Sequence, residues 1–269
     1  MGRTVDRALI LGRTPWSESS LILHVMTERH GSVRMLARGA YRKTSRLYCK
    51  LDLFDTLELT WREPSSGVGL GDLSDADVLH RRKRPRQDLD AYEAALTCLE
   101  LVALAARPAN VETGLFRLLL GTMAALENPE VRPALALVRF ELGFGVELGI
   151  APSLAQCAAC GGPAPAAQPA SGGAGPRVAF SAGAGGRLCN PCAHEARRSG
   201  RRVGSLPVRV LEAAASLLDG TPPDPASADD LVPRLRDFIG RFLDYHLEHR
   251  PRAHRRFLAR ANRNAPAST

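Results

Sequence analysis

Lysine is almost missing from this chain: of 36 basic side chains only Lys43, Lys50 and Lys83 are lysines. So heavy an arginine bias, beside abundant Ala, Gly and Pro, is what a GC-rich coding sequence gives with no function attached. Long apolar runs are also absent. No window approaches eighteen uninterrupted apolar residues, and the opening Met1-Gly2-Arg3-Thr4-Val5-Asp6-Arg7 has no signal-like stretch, so membrane spanning and export are not expected. There is no Walker lysine, no G-x-S-x-G, no H-E-x-x-H and no repeat at solenoid or propeller spacing. Gly67-Val68-Gly69-Leu70-Gly71 lacks the spacing of a nucleotide loop and no helix of a βαβ unit follows, so it reads as a hairpin turn.

What is present is a folded composition and an uneven charge. Hydrophobic residues at 45% and charged ones at 24% exclude wholesale disorder, collagen-like repeats and a coiled-coil rod. The formal net charge of +8 conceals segregation: by segment it is +7 over 1–50, −6 over 51–80, +5 over 81–86, −3 over 87–190 and +5 over 191–269. Basic clusters lie at 34–46, 81–86 and 197–202, with a basic tail at 250–263. Clusters of this kind suit a polyanion, because each cation that meets a phosphate releases counterions.

Periodicity divides the chain. Val5–Leu11, Ser20–Thr27, Ser32–Arg38, Leu51–Trp61 and a weaker Val68–Leu79 read as five short strands, which predicts a small antiparallel barrel. Helices are predicted over Asp88–Arg107, with Tyr92, Leu96, Leu99 and Val102 on its apolar face, and over Glu112–Leu126 and Val131–Leu148. Pro207–Leu218, Asp229–His249 and a short Ala253–Arg263 follow, with Asp229-Asp230 as a helix-start signal. The fold class is α+β and multidomain: a barrel domain over 1–80, a basic linker over 81–87 and a helical domain over 88–269.

Cys157-x-x-Cys160 and Cys189-x-x-Cys192 carry the strongest chemical signal. Two such knuckles place four thiolates around one Zn²⁺ and close its coordination sphere, which predicts a structural ion, one per chain, in a module at 155–195. The 28 residues between the knuckles include twenty Gly, Ala or Pro, and 161–177 is read as a flexible insertion. Loop-closure entropy grows only logarithmically, so the length does not forbid the site. Cys49 and Cys98 read as buried apolar residues.

In the first basic cluster, Val33, Met35 and Ala37 alternate with Arg34, Leu36 and Arg38, so a strand here presents both arginines on the outer face. Tyr41, Arg42, Lys43, Arg46 and Tyr48 continue into a loop, giving cations along a backbone with aromatic rings or guanidinium planes available for base stacking, a pattern that holds single strands. Arg81, Arg82, Lys83 and Arg84 are read as extending this track, and Arg197, Arg198, Arg201 and Arg202 as a separate patch.

These residues also carry a resemblance. Leu9-Ile-Leu, Glu18-Ser, Thr27-Glu-Arg-His-Gly31, Ala37-Arg-Gly-Ala40 with Ser45-Arg46, and Leu51…Phe54…Leu57-Glu-Leu are similar to the N-terminal region of the RecO family of bacterial DNA repair proteins. The four-cysteine module, Phe180-Ser181…Gly186 and Phe238…Tyr245-His-Leu…Arg250-Pro251…Phe257-Leu258 resemble its C-terminal half. Leu53 stands where that pattern has proline. The resemblance implies an OB-fold barrel followed by a helical domain with a zinc module, and a non-enzymatic recombination mediator. It further implies binding and annealing of single- and double-stranded DNA, association with RecR and with the C-terminal tail of single-stranded-DNA-binding protein, and a functional link to RecA. The implied location is cytoplasmic, at the nucleoid, without a membrane partner. Two alternatives stay open: a metal-dependent nucleic-acid-processing enzyme using Asp72, Asp75 and Asp77, and an RNA-binding barrel.

Overall fold

Alternating apolar residues in the first eighty positions wind five strands into a closed barrel in a computed structural model, which describes residues 2–64, 69–108, 110–167, 175–221, 223 and 225–247. The strands are β1 (Thr4–Pro15), β2 (Leu21–Thr27), β3 (Gly31–Ala37), β4 (Thr56–Arg62) and β5 (Gly71–His80). Their order is β1-β2-β3-β5-β4, closing back onto β1, an OB-like barrel. All pairs are antiparallel except β3 with β5, whose partners are Met35 with Gly71 and Leu36 with Asp72. The inward set fills the interior: Ala8, Ile10, Leu23, Val25, Met35, Leu57, Leu59 and Trp61 are fully buried together. Register shifts at Ile10/Gly12, Thr56/Leu57 and Thr60/Trp61 supply the local coiling that closure of so few strands needs.

Two sequence boundaries move. The fourth strand starts at Thr56, not Leu51, because Cys49 and Phe54 take left-handed backbone (φ 57° and 72°) that no strand accommodates. The fifth runs from Gly71, and residues 65–68 lie outside the described residues. Between β2 and β3, Gly31 turns the chain at φ 67°, and a Cβ there would lie 2.1 Å from the Asn110 carbonyl oxygen, so only glycine fits.

Helices follow: α1 (Arg84–Gln87), α2 (Leu89–Ala105), α3 (Thr113–Glu127) and α4 (Pro133–Glu147). The Asp88 carboxylate caps α2, accepting from the backbone N–H of Asp90 and Ala91. The buried stripe of α2 is Ala91, Ala94, Ala95, Cys98, Leu99 and Val102, whereas Tyr92 sits on the exposed side, its ring edge-on to Phe54 at 5.5 Å. Of the expected face Leu99 and Val102 are buried, Leu96 is half-buried and Tyr92 is exposed.

The described residues form two compact units, one reaching Leu137 and the other beginning at Val138, within α4. The second unit holds a three-stranded antiparallel sheet that the sequence reading missed, β6 (Arg177–Ser181) flanked by β7 (Gly186–Leu188) and β8 (Gly204–Pro207). It also holds α5 (Asn190–Arg198), α6 (Val208–Leu218) and α7 (Pro225–His246). Phe180 of β6 packs edge-on against Phe238 and Phe242 of α7, at 5.1 and 6.1 Å. Asp229 and Asp230 lie inside α7 rather than at its start, and Asp230 pairs with Arg234 and Arg209 at 3.0 and 2.6 Å. The expected helix over Ala253–Arg263 and the basic tail lie outside the described residues, as do His249 and His254.

Asp6 ties the β2–β3 turn to β1. Its fully buried carboxylate accepts from His30 Nδ1 and from the Arg29 and Arg7 backbone N–H at 2.8 Å each, and from Arg29 Nε at 3.1 Å. Burial alone would raise this carboxyl, but His30, Arg29 and Arg7 hold it below the usual carboxylate range. Asp6→Ala is therefore expected to lower unfolding free energy by about 2 kcal/mol at neutral pH, by stranding two backbone donors. The folded state favours the anion, so this contribution is complete above the unfolded pKa of about 3.9 and is lost as pH falls through the lower folded value. Urea titrations of both proteins between pH 7 and pH 2 should show the difference shrinking only at the acid end.

Candidate nucleic-acid interface and metal centre

Strand alternation sets Arg34 on the outer face of β3, between buried Met35 and half-buried Val33, and Arg38 follows one residue past the strand end. The chain then runs through residues 39–52 in successive tight turns: Arg42 N–H to Gly39, Ser45 to Arg42, Tyr48 to Ser45 and Lys50 to Leu47. Gly39 N–H to Ser20 Oγ and Tyr41 N–H to the Ser19 carbonyl fasten this loop to the β1–β2 connection. Leu47 is its buried anchor. Tyr41, Arg42, Lys43 and Arg46 are exposed, so the loop displays cations from an ordered backbone.

The acidic stretch sits beside them. Because β5 closes the barrel against β3, Asp72 pairs with Arg38 at 3.1 Å, Asp75 with Arg46 at 3.9 Å, and Lys50 reaches Asp77 and Asp75 at 3.2 and 3.8 Å. These pairs are exposed or half-buried and individually weak. They also occupy the carboxylates that the enzymatic alternative would require. Arg34, Arg42 and Lys43 make no ion pair among the described residues, so they are the uncompensated charge of this face.

The arginines of the 81–86 run differ in their surroundings. Arg82 is 2% exposed and its guanidinium donates to the Phe54 carbonyl at 2.6 Å and to Thr56 Oγ1 at 3.0 Å, while its N–H donates to Asp55. Burial presses on this guanidinium, and Asp55 and Glu127 offset part of that. Arg84 bonds to Asp88 and to the carbonyls of Asn128 and Val131, and Arg86 reaches Asp52 and Asp55. Arg82 and Arg84 thus brace the junction between barrel and helices instead of facing a ligand. Arg81, 52% exposed at its side chain, and exposed Lys83 remain at the surface. In the second unit Arg197, Arg198, Arg201 and Arg202 are all exposed, because α5 buries Ala193 and Ala196 and turns its arginines outward.

The four knuckle cysteines converge. Cys157, Cys160, Cys189 and Cys192 have all their sulfurs within 4.8 Å of one another, with Cys160 Sγ 3.9 Å from Cys189 Sγ. Four sulfurs at about 2.3 Å from a central zinc would stand about 3.8 Å apart, so the set fits a tetrahedral metal. Backbone bonding aligns the knuckles: Ala158 N–H donates to the Arg187 carbonyl of β7, Arg187 N–H to Ser153, and Ser153 N–H to Gly185. Gly186 is required there, since a Cβ would lie 2.5 Å from the Ser153 oxygen. Cys189 stands at the N-cap position of α5, without a side-chain cap hydrogen bond, and Pro191 lies in the first turn of the helix. The thiols compete for charge. Burial opposes ionisation of Cys157, but N–H groups of Cys189, Cys160 and Ala159 overcome it and bring Cys157 down to about 6, while the neighbouring sulfurs of Cys189, Cys157 and Cys160 push Cys192 up to about 12. A cation at their centre would let all four ionise.

The spacer between the knuckles is shorter in effect than in sequence. Ala167 and Arg177 exchange backbone hydrogen bonds at 2.7 and 3.0 Å, so 161–167 is tied in place and residues 168–174 lie outside the described residues. Of the two remaining cysteines Cys98 is buried as expected, but Cys49 is exposed, because its left-handed backbone lifts it onto the loop surface.

Two family models match nearly the whole sequence: Recombination protein O N terminal over residues 1–82 and Recombination protein O C terminal over residues 86–256. Among curated relatives, the DNA repair protein RecO of Anaeromyxobacter sp. (strain K) is 34% identical over 264 residues, covering 96% of each chain. That of Myxococcus xanthus (strain DK1622) is 29% identical, covering 93% of this chain and 95% of the relative. That of Nocardioides sp. (strain ATCC BAA-499 / JS614) is 29% identical over 90% and 94%.

The different roles of neighbouring arginines are measurable. Arg82→Ala should cost about 2 kcal/mol, since it leaves the buried Phe54 carbonyl and Thr56 Oγ1 without their guanidinium donor, whereas Arg81→Ala, at a half-exposed side chain, should cost less than about 1 kcal/mol. Equal urea midpoints for the two variants would show that Arg82 is not a structural brace.

Proposed function

As the chain belongs to the RecO family of DNA repair proteins, we propose that it is a recombination mediator. In this reading it binds single- and double-stranded DNA, anneals complementary strands and, with RecR, helps load RecA onto DNA coated with single-stranded-DNA-binding protein, whose C-terminal tail it contacts. The role is non-catalytic and cytoplasmic, at the nucleoid. Among the described residues no helix is long and apolar enough to cross a membrane.

One observation supports this most directly: an ordered loop on a closed barrel displays Arg34, Arg42 and Lys43 without carboxylate partners, beside the exchangeable Arg38 and Arg46. Phosphates tracked along this face would displace Asp72 and Asp75 from Arg38 and Arg46. A second patch of Arg197, Arg198, Arg201 and Arg202 gives the chain somewhere to hold another strand, which raises the effective concentration of the two for pairing. The four cysteines hold a structural Zn²⁺ that fastens the first knuckle to the helix α5 bearing those arginines. When bound, the ion supplies cross-linking and charge neutralisation only, because four thiolates leave no open position.

Binding of a labelled single strand should weaken with salt. Replacing Arg34, Arg42 and Lys43 together by Gln should reduce the log–log slope by about 2, at roughly 0.7 for each phosphate no longer neutralised. Asp72→Asn with Asp75→Asn should tighten binding at low salt, by removing the competing carboxylates. An unchanged slope and unchanged annealing rate in the triple variant would place the DNA site elsewhere, and equal affinity for RNA of the same length would favour the RNA-binding reading.

Protein prepared without chelator should contain about one zinc per chain. Stripping it, or Cys160→Ser, should lower the melting temperature of the module and open it to protease. Zinc-free protein that is equally stable would count against the metal.

A further inference from the structure

The loop that carries the cations also walls a groove that the phosphate track leaves unexplained. Its volume is about 380 Å³, and Arg13, Tyr41, Tyr48, Cys49, Asp52 and Arg81 stand around a floor that includes Leu21, Leu47 and Leu51. Tyr41 and Tyr48 are 52% and 40% exposed.

The walls are fixed from below. Arg13 donates to the Leu51 carbonyl at 2.9 Å and pairs with Asp52 at 3.1 Å; Arg81 donates to the Cys49 carbonyl at 2.9 Å. Arg86 also reaches Asp52, and Arg86 and Arg81 both pair with the buried Asp55, at 2.9 and 3.6 Å, so three guanidinium groups meet two carboxylates and the net charge is positive. Cys49 is held at φ 57° between Tyr48 and Lys50, a conformation rarely taken by a residue with a side chain, which persists when its surroundings fix it. Neither tyrosine hydroxyl has a hydrogen-bond partner among the described residues. A preformed cleft with an apolar floor, aromatic walls and a cationic rim lies at the small end of ligand sites, which run from about 300 to 1,000 Å³. It is too small for a helix or a duplex.

We propose that this groove takes one unstacked base of a single strand, its ring against Tyr41 or Tyr48 and its flanking phosphates on Arg81 and on the uncompensated Arg42 and Lys43. The inference rests on the DNA-binding reading and extends it to how this surface tells single from paired strands: a base in a duplex is already stacked and cannot enter. Stacking on an aromatic face tolerates any base, so the site selects unpaired strand and not sequence.

The test compares an oligo(dT) with an abasic strand of the same length and phosphate count, using the full chain. The wild-type protein should bind oligo(dT) about tenfold more tightly or better, the scale of one base on one ring. Tyr41→Ala with Tyr48→Ala should remove that preference while affinity for the abasic strand and the salt slope stay as they were, and Tyr41→Phe with Tyr48→Phe should keep it. Equal wild-type affinity for the two strands, or equal losses on both in the alanine variant, overturns the base site and leaves the phosphate track standing. Failure of the wild-type protein to bind either strand overturns the DNA reading itself, and the base site with it.

Discussion

Barrel closure rests on one short seam, the parallel pairing of β3 with β5 at Met35–Gly71 and Leu36–Asp72. Without it the sheet would keep two open edges, each a row of unpaired backbone groups. Gly71 lies at the start of β5 where β4 is close: a Cβ there would lie 3.1 Å from the ring of Trp61 and 3.3 Å from the Arg62 carbonyl oxygen. The seam also determines what the outer surface is, because it lays an acidic strand alongside a cationic strand and loop.

That juxtaposition changes the meaning of the net charge. Along the sequence, positive and negative segments are separated; in the fold Arg38, Arg46 and Lys50 lean onto Asp72, Asp75 and Asp77. The field felt by a distant polyanion is smaller than the arginine count suggests, while the exposed pairs can be exchanged at little cost. A surface of this kind favours reversible binding of a polyanion over tight binding.

The parts of the fold legible in the sequence are those governed by local rules. Period-two alternation identified the strands, the Cys-x-x-Cys spacing brought four sulfurs together, and alternation set Arg34 outward. The parts that were not legible depend on partners far along the chain. Nothing in Arg81-Arg82-Lys83-Arg84 distinguishes one arginine from the next, yet Arg82 is buried because Phe54, Asp55 and Thr56, nearly thirty positions earlier, offer it three oxygen acceptors. The β6–β8 sheet was missed for a similar reason: its strands are short, and β7 is a three-residue segment whose place is set by Ser153 and the first knuckle. Both loop tyrosines stand out in the sequence, but the groove they line became visible only once the turns of the loop and the left-handed Cys49 were seen together.

The paired backbone of Ala167 and Arg177 works as a stem. Ends already joined there bear the cost of loop closure once, so the length of what lies beyond the stem adds only slowly to it. The positions of the four sulfurs are thereby insulated from changes in the length of the spacer.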